Sequence, residues 1–162
     1  MQILRHQDYI RMPWKNGLGV TEEVIAHPPG SGLADFGWRL SIAHVGADGP
    51  FSVFAGIDRT IALLDGEGLL LDLPERTVDL APGGEPFAFS GDLQICSRNL
   101  SGPTVDLNIM TRRGLFDHRM TRIEGGASVD PAGPLTLLVF NGAASVRLNG
   151  DHLQMARFDT LV

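Results

Sequence analysis

The stretch Phe36-Gly-Trp-Arg-Leu-Ser-Ile-Ala-His44 decides the fold class. Phe36, Trp38, Leu40 and Ile42 alternate with Gly37, Arg39, Ser41 and Ala43, so large apolar side chains recur with period two. That is the repeat of a strand, whose successive side chains leave opposite faces, and not of a helix. Val105-Asp-Leu-Asn-Ile-Met110 repeats the arrangement: Val105, Leu107 and Ile109 share one face, Asp106 and Asn108 the other. Two strands with one apolar face and one small or polar face are what a ligand-holding barrel needs. The bland reading is that the polar faces meet water. Against it stands the opposite charge of Arg39 and Asp106 on separate strands. Arg39 can grip a carboxylate with two parallel hydrogen bonds, or pair with Asp106 and keep that acid ionised.

The same pattern spreads outward from these two runs. Residues 58–64 read as a buried strand that stops at the turn dipeptide Asp65-Gly66, with residues 69–73 as its hairpin partner. Arg59 lies on the Ile61 and Leu63 face of that strand and is a second candidate cation. Further short strands are expected at residues 87–89, 93–96, 135–140, 144–148 and 152–155, with turns at Asn141-Gly142 and Asn149-Gly150 between the last three. Helical periodicity is nearly absent, and 20 Gly and 10 Pro in 162 residues suit many tight turns. The expectation is an all-β protein.

Thr60-Ile-Ala-Leu-Leu-Asp-Gly66 and Thr136-Leu-Leu-Val-Phe-Asn-Gly142 share an apolar pattern and a turn. Any two hairpins can look alike in this way; the physical reading is two similar sheets or barrels packed together. Residues 1–114 would form a first lobe with the N-terminal strands, and residues 115–162 a smaller second lobe. The chain stops at Asp159-Thr-Leu-Val162, where a strand begins, so the second lobe is expected to be short.

Composition excludes several function classes. The net charge is −6 and the pI about 5.2, which does not suit a phosphate backbone and argues weakly against anionic membranes. Cys96 is the sole cysteine, so no intrachain disulfide and no cysteine-based zinc site can form, and a small core residue is its simplest role. The N-terminus lacks the apolar core of a signal peptide, and no apolar run reaches the length of a membrane span. A cytoplasmic protein is expected. The histidines His6, His27, His44, His118 and His152 are isolated from one another, so no metal cofactor is expected. A triad of Ser41, His44 and Asp106 can be drawn, but no nucleophile elbow supports it.

Trp14-Lys-Asn-Gly-Leu-Gly-Val-Thr-Glu-Glu23 is the richest remaining segment. Its glycines resemble a phosphate loop only superficially, because the terminal Gly-Lys-Ser/Thr of a Walker loop and the strand-to-helix context of a dinucleotide loop are missing. Asn16-Gly17 alone would make a turn.

Taken in order, this segment, Trp38-Arg-Leu-Ser-Ile-Ala, Asp48-Gly-Pro-Phe-Ser-Val-Phe-Ala-Gly-Ile-Asp-Arg59, Phe89-Ser-Gly-Asp92 and Val105-Asp-Leu-Asn-Ile-Met110 resemble the HutD/Ves family over nearly the whole chain. The resemblance implies a cupin-like double β-sandwich or barrel, a bicupin with a short second lobe, without the usual metal-binding histidines. It implies a link to histidine utilisation in some members and to stress response in others, and a role in sensing or buffering a pathway intermediate. At Leu18 the chain departs from the family, which often has a further Gly there.

On this basis the expected function is that of a metal-free binding or regulatory protein. Arg39 and Arg59 would hold the carboxylates of a small anion, glutamate-like if the pathway link holds, such as formylglutamate or formiminoglutamate. Trp14, Lys15, Asn16, Ser41, Asp106 and Asn108 would shape the pocket. Two alternatives stand beside it. One is a metal-free isomerase or hydrolase using Asp106 or His44 as general base; the other is a homodimeric regulatory module whose barrel is packed full.

Overall fold

The computed structural model describes residues 1–131 and 133–162. Among them there is no α-helix, only a 3-10 turn at His6–Asp8. Among the described residues, no helix is long and apolar enough to cross a membrane. The strands, in chain order, are β1 (Ile3–Leu4), β2 (Ile10–Pro13), β3 (Gly19–His27), β4 (Trp38–Val45), β5 (Gly49–Pro50), β6 (Ile57–Asp65), β7 (Leu69–Asp72), β8 (Thr77–Leu80), β9 (Phe87–Ser90), β10 (Cys96–Asn99), β11 (Thr104–Arg112), β12 (Leu138–Val139), β13 (Ala144–Leu148), β14 (Asp151–Met155) and β15 (Thr160–Leu161). The all-β expectation from the alternation at residues 36–44 and 105–110 holds.

The chain divides into two compact units, Arg11–Arg122 and Met1–Ile10 with Ile123–Val162. The first ten residues, grouped with the first lobe on sequence grounds, therefore belong with the C-terminal segment. Ile3 of β1 pairs with Leu161 of β15, and β15 pairs in turn with β12. The Tyr9 hydroxyl bonds the Phe158 carbonyl at 2.7 Å and Thr160 Oγ1 at 2.8 Å, and Arg5 meets Asp159 at 2.6 Å. The hairpin of β13 and β14 turns on Asn149 and Gly150, both at positive φ (52° and 90°), as a tight two-residue turn requires.

In the larger unit two antiparallel sheets face each other. One has six strands in the order β2-β3-β4-β11-β6-β9, and the other has four in the order β5-β10-β7-β8. Ile61 and Phe89 from the first pack with Leu69, Leu71, Leu80 and Ile95 in one buried cluster. This burial corrects the expected hairpin at Asp65-Gly66. β6 is already flanked by β11 and β9, and β7 pairs with β8 and β10. The turn at Gly66 thus carries the chain from one sheet to the other, so that Leu69 and Leu71 face β6 across the core instead of lying beside it. Cys96, expected in the core, is exposed. The apolar repeat does not become a structural repeat: β6 has nine residues inside the large sheet, and β12 has two at the edge of a three-stranded one.

Gly66 sits at φ +103°, and a Cβ there would meet Thr104 Cγ2 at 2.8 Å and the Pro103 carbonyl at 2.9 Å. Gly56, at φ +71°, has open space in the same direction. Gly56→Ala should therefore cost about 1–2 kcal/mol, for left-handed backbone alone. Gly66→Ala should cost clearly more, because backbone must also move. Urea denaturation of the two variants checks this, and equal losses would show that the contacts at Gly66 yield freely.

Candidate functional site

Residues opposite each other on paired strands share a face. β11 runs between β4 and β6, so its register sets three rows. Met110 opposes Arg39 and Arg59, Asn108 opposes Ser41 and Ile61, and Asp106 opposes Ala43 and Leu63. All of these lie on the face of Ile61, which packs toward the four-stranded sheet. The bland alternative that these polar faces meet water does not hold: Arg39 is 4% exposed, Arg59 7%, Asp106 1% and Asn108 5%. On β3 a bulge between Glu23 and Ile25 places Glu23 opposite Ser41 and Ile25 opposite Leu40. Glu23 shares the interior face with Thr21 by regular alternation, and the extra residue after it turns Ile25 to the other face, opposite Leu40.

The charges inside the barrel are arranged unequally. Arg39 Nε donates to Glu23 Oε2 at 2.7 Å, and its Nη1 to Ser41 Oγ at 3.4 Å. Its ion partner is therefore Glu23 rather than Asp106. Arg59 donates from Nη1 to the Ser52 carbonyl at 3.2 Å. Its guanidinium carbon lies 5.5, 5.4 and 4.9 Å from the ring centres of Phe51, Phe54 and Phe89. Aromatic faces of this kind stabilise a guanidinium taken out of water. Among the described residues, Arg59 Nε, both oxygens of Asp106 and Asn108 Oδ1 have no hydrogen-bond partner.

Burial pushes the Asp106 carboxyl up to about 7, and the positive charge of Arg59 holds back the rise. Burial likewise draws Arg59 down to about 10, with Asp106 opposing the fall and the like charge of Arg39 adding to it. Orphaned buried acceptors are costly unless a donor reaches them. The cluster therefore offers two guanidiniums for anionic oxygen, and a carboxyl and an amide oxygen for a donor.

The other expected site residues fall in different places. Trp14 Nε1 donates to Thr21 Oγ1 at 2.8 Å, and Thr21 opposes Ala43 in the row of Asp106, so the indole is anchored at the edge of the interior face. Lys15 and Asn16 are exposed. Asn16 Oδ1 accepts from the Leu18 amide at 3.0 Å beside Gly17 at φ +73°, which is a local turn. His44 pairs across the sheet with Val20 and Val105, on the face opposite Ser41 and Asp106. Its Nε2 meets Glu22 Oε2 at 3.0 Å. A triad of Ser41, His44 and Asp106 is thus excluded by strand geometry. Glu23, Thr21 and the three phenylalanines around Arg59 were not anticipated as site residues. Among the described residues, no group of three or more His, Cys, Asp or Glu side chains could hold a metal ion.

An antiparallel β-sandwich with a polar interior of this kind defines a cupin-fold protein. YlbA of E. coli shares the fold alone, with a TM-score of 0.62 at 9% identity over 98% of this chain and 80% of that one. The chain belongs to the HutD family, whose model matches residues 6–162. It is 38% identical over 149 residues to an uncharacterized 21.2 kDa protein in the hutC 3′ region of Pseudomonas putida, covering 92% of this chain and 77% of that protein. It is 38% identical over 114 residues to protein Ves of Citrobacter koseri, covering 68% of this chain and 59% of Ves. The solved structure of HutD from Pseudomonas fluorescens SBW25 matches with a TM-score of 0.69 at 32% identity, over 98% of this chain and 84% of that one.

The Asp106 carboxyl makes a prediction about stability. Its folded-state value of about 7 lies above the usual 3.8, so the folded state holds the proton more tightly. The stability this group lends is complete below about pH 4 and is lost as pH rises through 7, by on the order of 4 kcal/mol. Asp106→Asn cannot ionise, so its stability relative to the unmodified protein should climb over that window. Denaturant melts at pH 5 and pH 8 should show the upper part of that change, about 2–3 kcal/mol; a constant gap would show that Asp106 is not an acid buried at this cost.

Proposed function

We propose that this HutD-family chain is a small-molecule binding and regulatory protein. Its barrel interior holds a glutamate-like anion and does not turn it over. The observation that carries the reading is the placement of two buried arginines in one row, on either side of Met110, on the interior face that also bears Asp106 and Asn108. Arginine is the side chain best shaped for two-point carboxylate recognition. Arg59, with its Nε unpartnered among the described residues, has more donor capacity left than Arg39, which is tied to Glu23.

The histidine-utilisation context of two relatives supports a ligand from that chemistry, whose intermediates are glutamate-like anions such as formylglutamate and formiminoglutamate. A metal-free enzyme is the second reading, favoured by one observation. A carboxyl near 7 is poised to exchange a proton at neutral pH. Against it, the cluster holds no nucleophile–base pair, and His44 stands on the other face of the sheet.

The test is calorimetric titration of formylglutamate, formiminoglutamate, glutamate and urocanate into the unmodified protein and into Arg59→Lys and Arg39→Ala. Removing one charge-assisted contact should weaken binding by about 1.5–3 kcal/mol. Lysine at position 59 should recover little, because an ammonium cannot make the planar two-point contact. Heat from none of the four compounds would favour a filled-barrel regulatory module, and steady turnover of one would favour the enzyme.

A further inference from the structure

Anion binding alone leaves part of the interior unexplained. Two guanidiniums suffice for a carboxylate, yet three acceptor atoms, Asp106 Oδ1, Asp106 Oδ2 and Asn108 Oδ1, are buried on the same face without a partner among the described residues. They are adjacent members of one strand face, Asn108 lying between the Asp106 row and the arginine row. The residues opposite them on β4, Ala43 and Ser41, are short, while those opposite on β6 are Leu63 and Ile61.

We propose that the ligand of this barrel carries a cationic nitrogen group, an ammonium or an amidinium, which donates to Asp106 and Asn108 while its carboxylate meets the arginines. The inference rests on the binding reading above and narrows the class of ligand. Two arguments support it independently.

The first is a donor count. With Asp106 ionised, three orphaned acceptors need three N–H groups, and an acceptor left unmet in a buried site costs the ligand affinity. Glutarate supplies none and the formamide of formylglutamate supplies one. The ammonium of glutamate and the protonated formimino group of formiminoglutamate each supply three.

The second is charge. Above about pH 7, where Asp106 is ionised, the interior side chains balance, with Arg39 and Arg59 against Glu23 and Asp106. A dianion such as glutarate or formylglutamate brings two uncompensated negative charges into that neutral set. A ligand with a cationic nitrogen brings one, and places its positive group beside Asp106. Uncompensated buried charge is expensive, so the balance favours the zwitterionic class. The Asp106 and arginine rows lie four residues apart on β11, or roughly 13 Å between backbones. A short aliphatic chain between nitrogen and carboxylate, met from one end by long arginine side chains, spans what remains.

The experiment is calorimetric titration of the full chain at pH 8, where Asp106 is ionised, with glutarate, formylglutamate, glutamate and formiminoglutamate. The expected order is glutamate and formiminoglutamate tightest, formylglutamate next and glutarate weakest. The extremes should differ by at least about tenfold, the size of one charge-assisted hydrogen bond. Asp106→Asn should erase the advantage of the two cationic ligands and leave glutarate unchanged or tighter. If that variant does not fold, the order on the unmodified protein decides alone. Glutarate or formylglutamate binding as tightly as formiminoglutamate would overturn this inference and leave the binding reading standing. Heat from none of the four would remove the binding reading, and this inference with it.

Discussion

Side chains alternate along a strand, so a one-residue slip of β11 against β4 and β6 would turn Asp106 and Asn108 out of the barrel and put Leu107 and Ile109 in their place. The observed register instead aligns Met110 with both arginines and Asn108 with Ser41 and Ile61. Every feature of the candidate site follows from that alignment. It places the arginines in one row on either side of a single strand, and it sets the short side chains Ala43 and Ser41 across from the carboxyl and the amide. The register of β3 on β4 extends the same logic, since it sets Glu23 opposite Ser41 on the interior face, where it meets Arg39.

Burying these groups works against stability. Each charge removed from water carries a desolvation cost that a single partner offsets only when geometry is good. Arg39 and Glu23 meet that condition at 2.7 Å. Arg59 is met partly by three aromatic rings and one carbonyl. Asp106 meets none of it, which is why its carboxyl rises to about 7. A core built for stability alone would carry Leu or Ile at position 106, as neighbouring position 63 does across the ladder. Retaining the acid there therefore costs folding energy that an apolar side chain would not.

The interior face could be read from sequence because period-two alternation is local: Arg39 with Ser41, and Asp106 with Asn108, follow from spacing within nine residues or fewer. What could not be read depends on contacts distant in sequence. Glu23 alternates regularly with Thr21, but Glu22 beside it is equally acidic, and only the pairing of β3 with β4 decides which of the two enters the interior. The hairpin expected after Asp65-Gly66 failed because β6 already has two partners, a fact fixed by β11 some forty residues later. The same holds for the N-terminus, where Ile3 finds its partner at Leu161. Lys15 and Asn16 looked like pocket residues because Trp14 and the glycines flank them. Only the indole reaches the interior face, through Thr21, while the two polar side chains finish a turn.

Polar groups inside and outside the barrel differ in how far their hydrogen bonding is completed by the protein itself. On the outer face of the large sheet, His44 is held by Glu22, and both ring nitrogens of His118 are bonded at 2.8 Å to Thr60 and Thr111. At the surface, Arg113 joins Asp58 and Asp92, and Arg98 closes on Asp72 with two bonds. These polar side chains have found protein partners. Among the described residues, the buried side-chain atoms without partners are Ser31 Oγ and a group confined to the barrel interior, on Arg59, Asp106 and Asn108. Protein interiors rarely tolerate such atoms singly. Their concentration on one face, an unpartnered donor with unpartnered acceptors, leaves that face with hydrogen-bonding capacity that its own side chains do not complete.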